Sequence, residues 1–83
     1  MGFFKIEFSK KAAKDYKKLP HDYKDLIDLA LQKLSNGLPV DIKPVTGETD
    51  SYRIRVGKYR ILFVVIKDTL VVTKIGPRGD VYK

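Results

Sequence analysis

The chain has no cysteine. Disulfides, thiolate nucleophiles and zinc–sulfur sites are therefore excluded. A single histidine, His21, argues against a histidine-built metal centre, and no cofactor is expected. No run approaches the roughly 18 apolar residues of a membrane span, and no signal-peptide pattern opens the chain. These absences set the expectation of a soluble cytoplasmic protein. Acidic residues are also scarce: 10 Asp and Glu stand against 17 Lys and Arg, a formal charge of +7. Such an excess favours polyanionic partners, whether nucleic acid, an acidic protein or an anionic surface. At 83 residues the expectation is one domain, 1–83, with a modest core.

What is present divides the chain in two. In Phe3 to Phe8, "FFKIEF", Phe4, Ile6 and Phe8 share one face and Lys5 and Glu7 the other, which is strand periodicity. Ser9 is placed to cap a first helix whose apolar face is Ala12, Tyr16 and Leu19, and Pro20 ends it. Tyr23, Leu26, Ile27, Ala30, Leu31 and Leu34 follow the i, i+3, i+4, i+7 rule of a second helix, stopped by Asn36-Gly37. The short connection predicts an antiparallel helix pair. Residues 38–51 hold two prolines, a glycine and polar turn formers, and read as a loop. Strands follow over about 52–56, 59–66 and 70–75, turning at Gly57-Lys58 and Lys67-Asp68. The order βααβββ predicts an α+β fold with a mostly antiparallel, four-stranded sheet.

The segment "YRIRVGKYR", residues 52–60, carries the functional signal. A two-residue turn at Gly57-Lys58 sets Val56 against Tyr59, Arg55 against Arg60, Ile54 against Ile61 and Arg53 against Leu62. Directly opposed residues point to the same side of a sheet. One face is then Tyr52, Ile54, Val56, Tyr59, Ile61, Phe63 and Val65, all apolar or aromatic. The other holds Arg53, Arg55 and Arg60, followed by Leu62 and Val64. Like charges placed opposite one another destabilise a sheet by a few tenths of a kcal/mol, and no acidic residue lies between Asp50 and Asp68. An anion laid over the face would remove the repulsion. All four arginines (Arg53, Arg55, Arg60, Arg78) follow residue 52, whereas the helical segment has lysines only. Arginine offers a planar fork suited to phosphate; lysine is the ordinary solvated cation. The blander alternative is a surface kept soluble, its edge blunted by charge against aggregation. Lys58 and Lys74 fit a phosphate contact or plain surface equally well.

Three stretches together resemble the RelE/ParE superfamily of toxin–antitoxin toxins, most closely its RelE branch. They are "FKIEFSKKAAKDYKKLP", "VTGETDSYRIRVGKYRILFVV" and the ending "VVTKIGPRGDVYK". The resemblance implies two helices against a curved antiparallel sheet. It implies metal-independent endonuclease action on messenger RNA in the ribosomal A site, and silencing by a cognate RelB-like antitoxin. A toxin–antitoxin heterotetramer that binds operator DNA through the antitoxin belongs to the same implication. The family's functional positions fall on Arg53, Arg55, Arg60, Arg78 and Tyr82. Two departures stand out. Well-studied members carry lysine where Arg53 and Arg55 stand, and Pro77 occupies a place that is often histidine or lysine. A non-catalytic gyrase inhibitor of the ParE kind, or an inactive antitoxin-binding module, are the competing readings.

RNA cleavage by the ribose 2′-hydroxyl needs deprotonation of that hydroxyl, charge stabilisation at the phosphorane, and a proton for the leaving 5′-oxygen. Arg53, Arg55 and Arg60 suit the second need. Arg78 is expected at the leaving group by analogy with the family. Tyr82 is expected to stack on a base or to assist proton transfer, or else simply to pin the tail to the sheet. Arginine stays protonated near neutrality and makes a poor general base.

Overall fold

The computed structural model describes residues 5–77. Its elements run β1 (Lys5–Phe8), α1 (Lys10–Lys17), α2 (His21–Ser35), β2 (Ile42–Pro44), β3 (Ser51–Val56), β4 (Tyr59–Ile66) and β5 (Thr69–Pro77). The strands form one sheet in the order β1-β5-β4-β3-β2. β1 runs parallel to β5, and the other pairs are antiparallel. The α+β class is as expected, with one correction. The sheet has five strands, not four, because the segment read as a loop supplies β2 on the edge. β2 is three residues long and includes Pro44, which lacks a ladder donor. Its pairing partner is what makes it a strand, and its own pattern is too short to announce one. Phe3 and Phe4, expected in the first strand, lie outside the described residues.

The helix ends follow from local chemistry. Ser9 Oγ accepts a bond of 3.1 Å from Ala12 N–H and caps α1. α2 starts at Pro20 with Asp22 in its first turn, where a carboxylate suits the helix dipole. It ends where Gly37 takes a φ of +72°. The N–H groups of Gly37 and Leu38 return to the carbonyls of Leu34 and Lys33, at 3.1 and 2.8 Å. Three residues separate the helices, and α2 folds back so that Tyr16 Oη donates to Asp28 Oδ1 at 2.8 Å. The Lys24 ammonium lies 5.7 Å from the centroid of the same ring.

Both helices cover one side of the sheet, α1 mainly on β5 and α2 on β3. Ala12, Ile27 and Leu31 from the helices meet Ile54, Ile61 and Phe63 from the central hairpin, all buried. Leu70, Val72 and Ile75 complete the core from β5. Burying one such side chain stabilises by about 1.5–3 kcal/mol. Asp15 ties α1 to the sheet by a second route: its Oδ2 accepts from Ile75 N–H at 3.1 Å and its Oδ1 from Lys11 at 3.0 Å. A bulge lies opposite Leu62 and Phe63, whose partners are Lys74 and Val72, so Thr73 is the extra residue. It resets the alternation of β5, returning Ile75 to the core side and Lys74 to the outer one.

The β3–β4 register is the one the turn requires: Arg55 faces Arg60, Ile54 faces Ile61 and Arg53 faces Leu62. Gly57 has a φ of +57°, and a Cβ there would lie 3.1 Å from Tyr23 Cε1. The tyrosine ring packs beneath the turn against Tyr59, with centroids 4.5 Å apart. Gly57→Ala is therefore expected to lose at least the roughly 1–2 kcal/mol of the left-handed conformation, and Ile61→Ala about 2–5 kcal/mol through a core cavity. Urea denaturation of both variants checks these values, and an Ile61→Ala loss below 1 kcal/mol would contradict the buried position.

Candidate nucleic-acid interface

The side of the sheet turned away from the helices is built by alternation on β3. Tyr52, Ile54 and Val56 go to the core or its margin, so Arg53 and Arg55 must go outward. The turn then puts Arg60 beside Arg55. The expected trio is thus brought together on one face, above a floor of Ile54, Ile61 and Phe63 with exposures of 1%, 0% and 2%. All three arginines are half-buried rather than splayed into solvent. Arg53 Nη1 is fully buried without a hydrogen-bond partner among the described residues. A desolvated guanidinium donor left in this way costs free energy until an acceptor reaches it.

Register extends the face on both flanks. β2 sets Lys43 opposite Arg53, and β5 sets Lys74 opposite Leu62, itself opposite Arg53. One row across four strands therefore reads Lys43, Arg53, Leu62, Lys74, with neighbouring strands about 4.8 Å apart. The adjacent row reads Arg55, Arg60 and Gly76. A depression of about 310 Å³ opens beside the first row, with Lys43, Thr46 and Arg53 in its wall. Sequence reasoning missed Lys43, because its strand was read as loop, and left Lys74 undecided because the bulge that orients it was invisible. Arg78 and Tyr82 lie outside the described residues.

No acidic residue lies within the hairpin itself, but Asp41, from before β2, pairs with one of the three arginines. Arg55 Nε donates to Asp41 Oδ2 at 3.0 Å, and the Asp41 carbonyl accepts from Arg55 N–H at 3.1 Å. The Arg55 hydrogen bond holds the Asp41 carboxyl below the usual carboxylate range, helped by the charges of Arg55, Arg53 and Lys43. Among the described residues no group of three or more His, Cys, Asp or Glu could hold a metal ion. No helix among them is long and apolar enough to cross a membrane. The face is thus equipped to hold anions by hydrogen-bonded positive charge, and phosphate is the anion that arginine forks match best.

The depressed Asp41 value has a defined pH consequence. The pair contributes fully above the ordinary aspartate pKa, and its contribution is lost as pH falls from there through the lower folded value. A carboxyl NMR titration should therefore show Asp41 protonating below the ordinary range, and Arg55→Ala should move it back up. An unchanged Asp41 titration in that variant would contradict the pairing.

Comparison with known proteins places this geometry in a family. The family profile described as the ParE toxin of type II toxin–antitoxin systems matches residues 6–82. Toxin RelE3 of Methanocaldococcus jannaschii is 35% identical over 94% of each chain. The toxin–antitoxin RelB-RelE complex of Methanococcus jannaschii contains a chain that is 34% identical, with a TM-score of 0.80 over 92% of this chain and 94% of that one. The isolated RelE toxin of E. coli shares the fold at a TM-score of 0.80 and 24% identity, over 95% of this chain and 90% of that one. A basic face on a two-helix, mostly antiparallel sheet and these full-length likenesses agree: the chain belongs to the ParE toxin family of type II toxin–antitoxin systems and is a toxin of the RelE type.

Proposed function

We propose that the protein is a ribosome-dependent endoribonuclease that cuts messenger RNA in the A site and so inhibits translation, acting in the cytoplasm. The observation that supports this reading most is the Arg55–Arg60 pairing with Arg53 on the same outer face. In this reading the 2′-oxygen attacks the adjacent phosphorus while the bond from phosphorus to the 5′-oxygen breaks. The 2′-hydroxyl gives up a proton, the leaving 5′-oxygen gains one, and the products are a 2′,3′-cyclic phosphate and a 5′-hydroxyl.

The chain's own groups serve the charge. Arg53 and Arg60 carry guanidinium nitrogens already withdrawn from water, so their attraction for the phosphorane is little screened. Arg55 adds a third cation, shared with Asp41. Lys43 and Lys74 hold flanking phosphates. Arg78 is assigned to the leaving oxygen, and Tyr82 to stacking on a base, worth about 1–3 kcal/mol. No arginine serves as base, so water or the ribosome-held RNA takes up the 2′-proton and the intrinsic reaction is slow. A RelB-like antitoxin, acidic enough to meet the +7 chain, is the cellular partner, and the heterotetramer contacts operator DNA through it.

Purified protein should cut messenger RNA on programmed ribosomes and leave the cyclic phosphate. Arg60→Ala and Arg78→Ala should each slow cutting by roughly 100- to 1,000-fold with the fold preserved, since each removes charge stabilisation of the transition state rather than core packing. Arg55→Lys should keep activity, because an ammonium there retains the positive charge, which the Asp41 carboxylate favours. Intact message on ribosomes that the protein nonetheless grips would favour a binding module instead. Poisoning of DNA gyrase with no effect on message would favour the ParE-like inhibitor.

A further inference from the structure

The outer face changes character one row beyond the arginines. Arg53 stands opposite Leu62, and two residues back along β3 Ser51 stands opposite Val64. Two residues of a strand span about 6.8 Å. Beside this second row the chain closes a tight turn. Glu48 N–H donates to the Val45 carbonyl at 3.2 Å, and Val45 N–H to the Ser51 carbonyl at 2.9 Å. A pocket of about 150 Å³ lies here, lined by Val45 and Glu48 from the turn and by Ser51, Leu62, Val64 and Thr73 from the sheet. Val45 also lines the depression that holds Lys43, Thr46 and Arg53. A hollow walled by cations and an apolar one bearing a carboxylate thus share a wall. Ser51 is the one buried polar residue among those described. Its hydroxyl gives its hydrogen to the Thr49 carbonyl at 3.4 Å and keeps its lone pairs. The Glu48 carboxylate makes no ion pair among the described residues.

We propose that this pocket receives one cytosine of the RNA whose phosphate lies on Arg53, and that Glu48 thereby selects messages with a cytosine at that place for cutting. Size sets the ring. A volume of about 150 Å³ admits one six-membered ring such as benzene, and a fused purine exceeds it. The lining sets the base. Cytosine presents an N4 amino donor where uracil presents the O4 acceptor, and a carboxylate is a natural partner of that donor. One N4 hydrogen goes to Glu48 and the other to Ser51 Oγ, while Leu62 and Val64 border the ring. Uracil would set its carbonyl oxygen against two acceptors. An aliphatic side chain of a protein partner would strip water from Glu48 and Ser51 and give them no donor, so the lining favours a base. Position joins base to phosphate. With Lys43 and Arg53 in the adjoining hollow, a single nucleotide spans the two, its base turned out of the strand as sequence-specific RNA recognition requires. The choice of cutting site, though not the occupation of the pocket, rests on the reading of the outer face as an RNA site.

The test uses the whole chain, labelled with ¹⁵N. The probes are cytidine and uridine 5′-monophosphates, and single-stranded RNA oligonucleotides of equal length made only of C, U or A. Cytidine monophosphate should shift the amides of Glu48, Ser51, Val64 and Thr73, and uridine monophosphate should leave them in place. The C oligonucleotide should bind about tenfold tighter than the U or A oligonucleotide. Glu48→Gln, whose amide group offers uracil O4 a donor, should remove the difference between C and U. Val64→Phe, a change outside the buried core, fills the pocket. It should lower the affinity for C to that for U and leave the fall of affinity with salt unchanged. On programmed ribosomes the wild type should cut cytosine-bearing sites faster than their uracil counterparts, and Glu48→Gln should cut both alike. Equal affinity for C and U, or a preference that survives Glu48→Gln, overturns the pocket, while affinity that still falls with salt leaves the basic-face reading standing. A preference in binding with none in cutting overturns the role in site choice. RNA that fails to bind the free chain overturns the basic-face reading, and the shifts caused by cytidine monophosphate still decide the pocket.

Discussion

The parity of the β3–β4 pairing governs both faces of this protein. Ile54, Ile61 and Phe63 reach the helices only because Arg53, Arg55 and Arg60 do not. A slip of one residue would exchange the two sets, exposing the core and burying three charges. The cost of that exchange greatly exceeds the few tenths of a kcal/mol lost by placing Arg55 opposite Arg60. Burial of the inner face therefore holds the cationic cluster together. Gly57 reinforces the register, since it takes the left-handed turn conformation and leaves room for Tyr23 beneath. Stability and site are thus products of one constraint, and a substitution that shifts the register damages both.

The site borrows rigidity from that arrangement. Its arginines rise from the central strands of the sheet, with half their surroundings protein rather than water. A charge held on a packed strand loses little freedom when an anion arrives, which is the requirement for electrostatic preorganisation. The flanks are softer. β2 is a short edge strand, and it carries both Lys43 and the approach to Asp41. The border of the basic face consequently belongs to the least supported part of the sheet.

Charge on the two halves of the chain is organised differently. α1 presents lysines around a narrow apolar face, and only Ala12 among its residues is buried. Its attachment depends on specific polar bonds as well as on packing: Ser9 to Thr73, Asp15 to Ile75, and Tyr16 to Asp28. The Tyr16 hydroxyl is held above its ordinary pKa by the Asp28 hydrogen bond, by burial and by the charges of Asp28 and Asp25. On the sheet, by contrast, the cations are arginines fixed by alternation. The helical lysines and the sheet arginines thus lie on opposite sides of one small molecule.

Much of this was decided by the sequence alone, because the deciding interactions are local. The Ser9 cap, the Asn36-Gly37 stop, the turns at Gly57-Lys58 and Lys67-Asp68, and the α+β order each depend on residues within a few positions of one another. The Arg55–Arg60 pairing was equally legible, since a two-residue turn leaves one register. Tertiary structure decided what depended on contact between distant segments. β2 exists because β3 offers it an edge. Asp41 meets Arg55 across 14 positions. The bulge at Thr73 turns Lys74 outward, and the parallel lie of β1 along β5 comes from the far end of the chain. Leu26 shows the same limit: helical periodicity grouped it with Ile27 and Leu31, and only the position of α2 on the sheet left it exposed. Periodicity tells which side chains share a face; how much of that face is covered depends on the neighbours that pack against it.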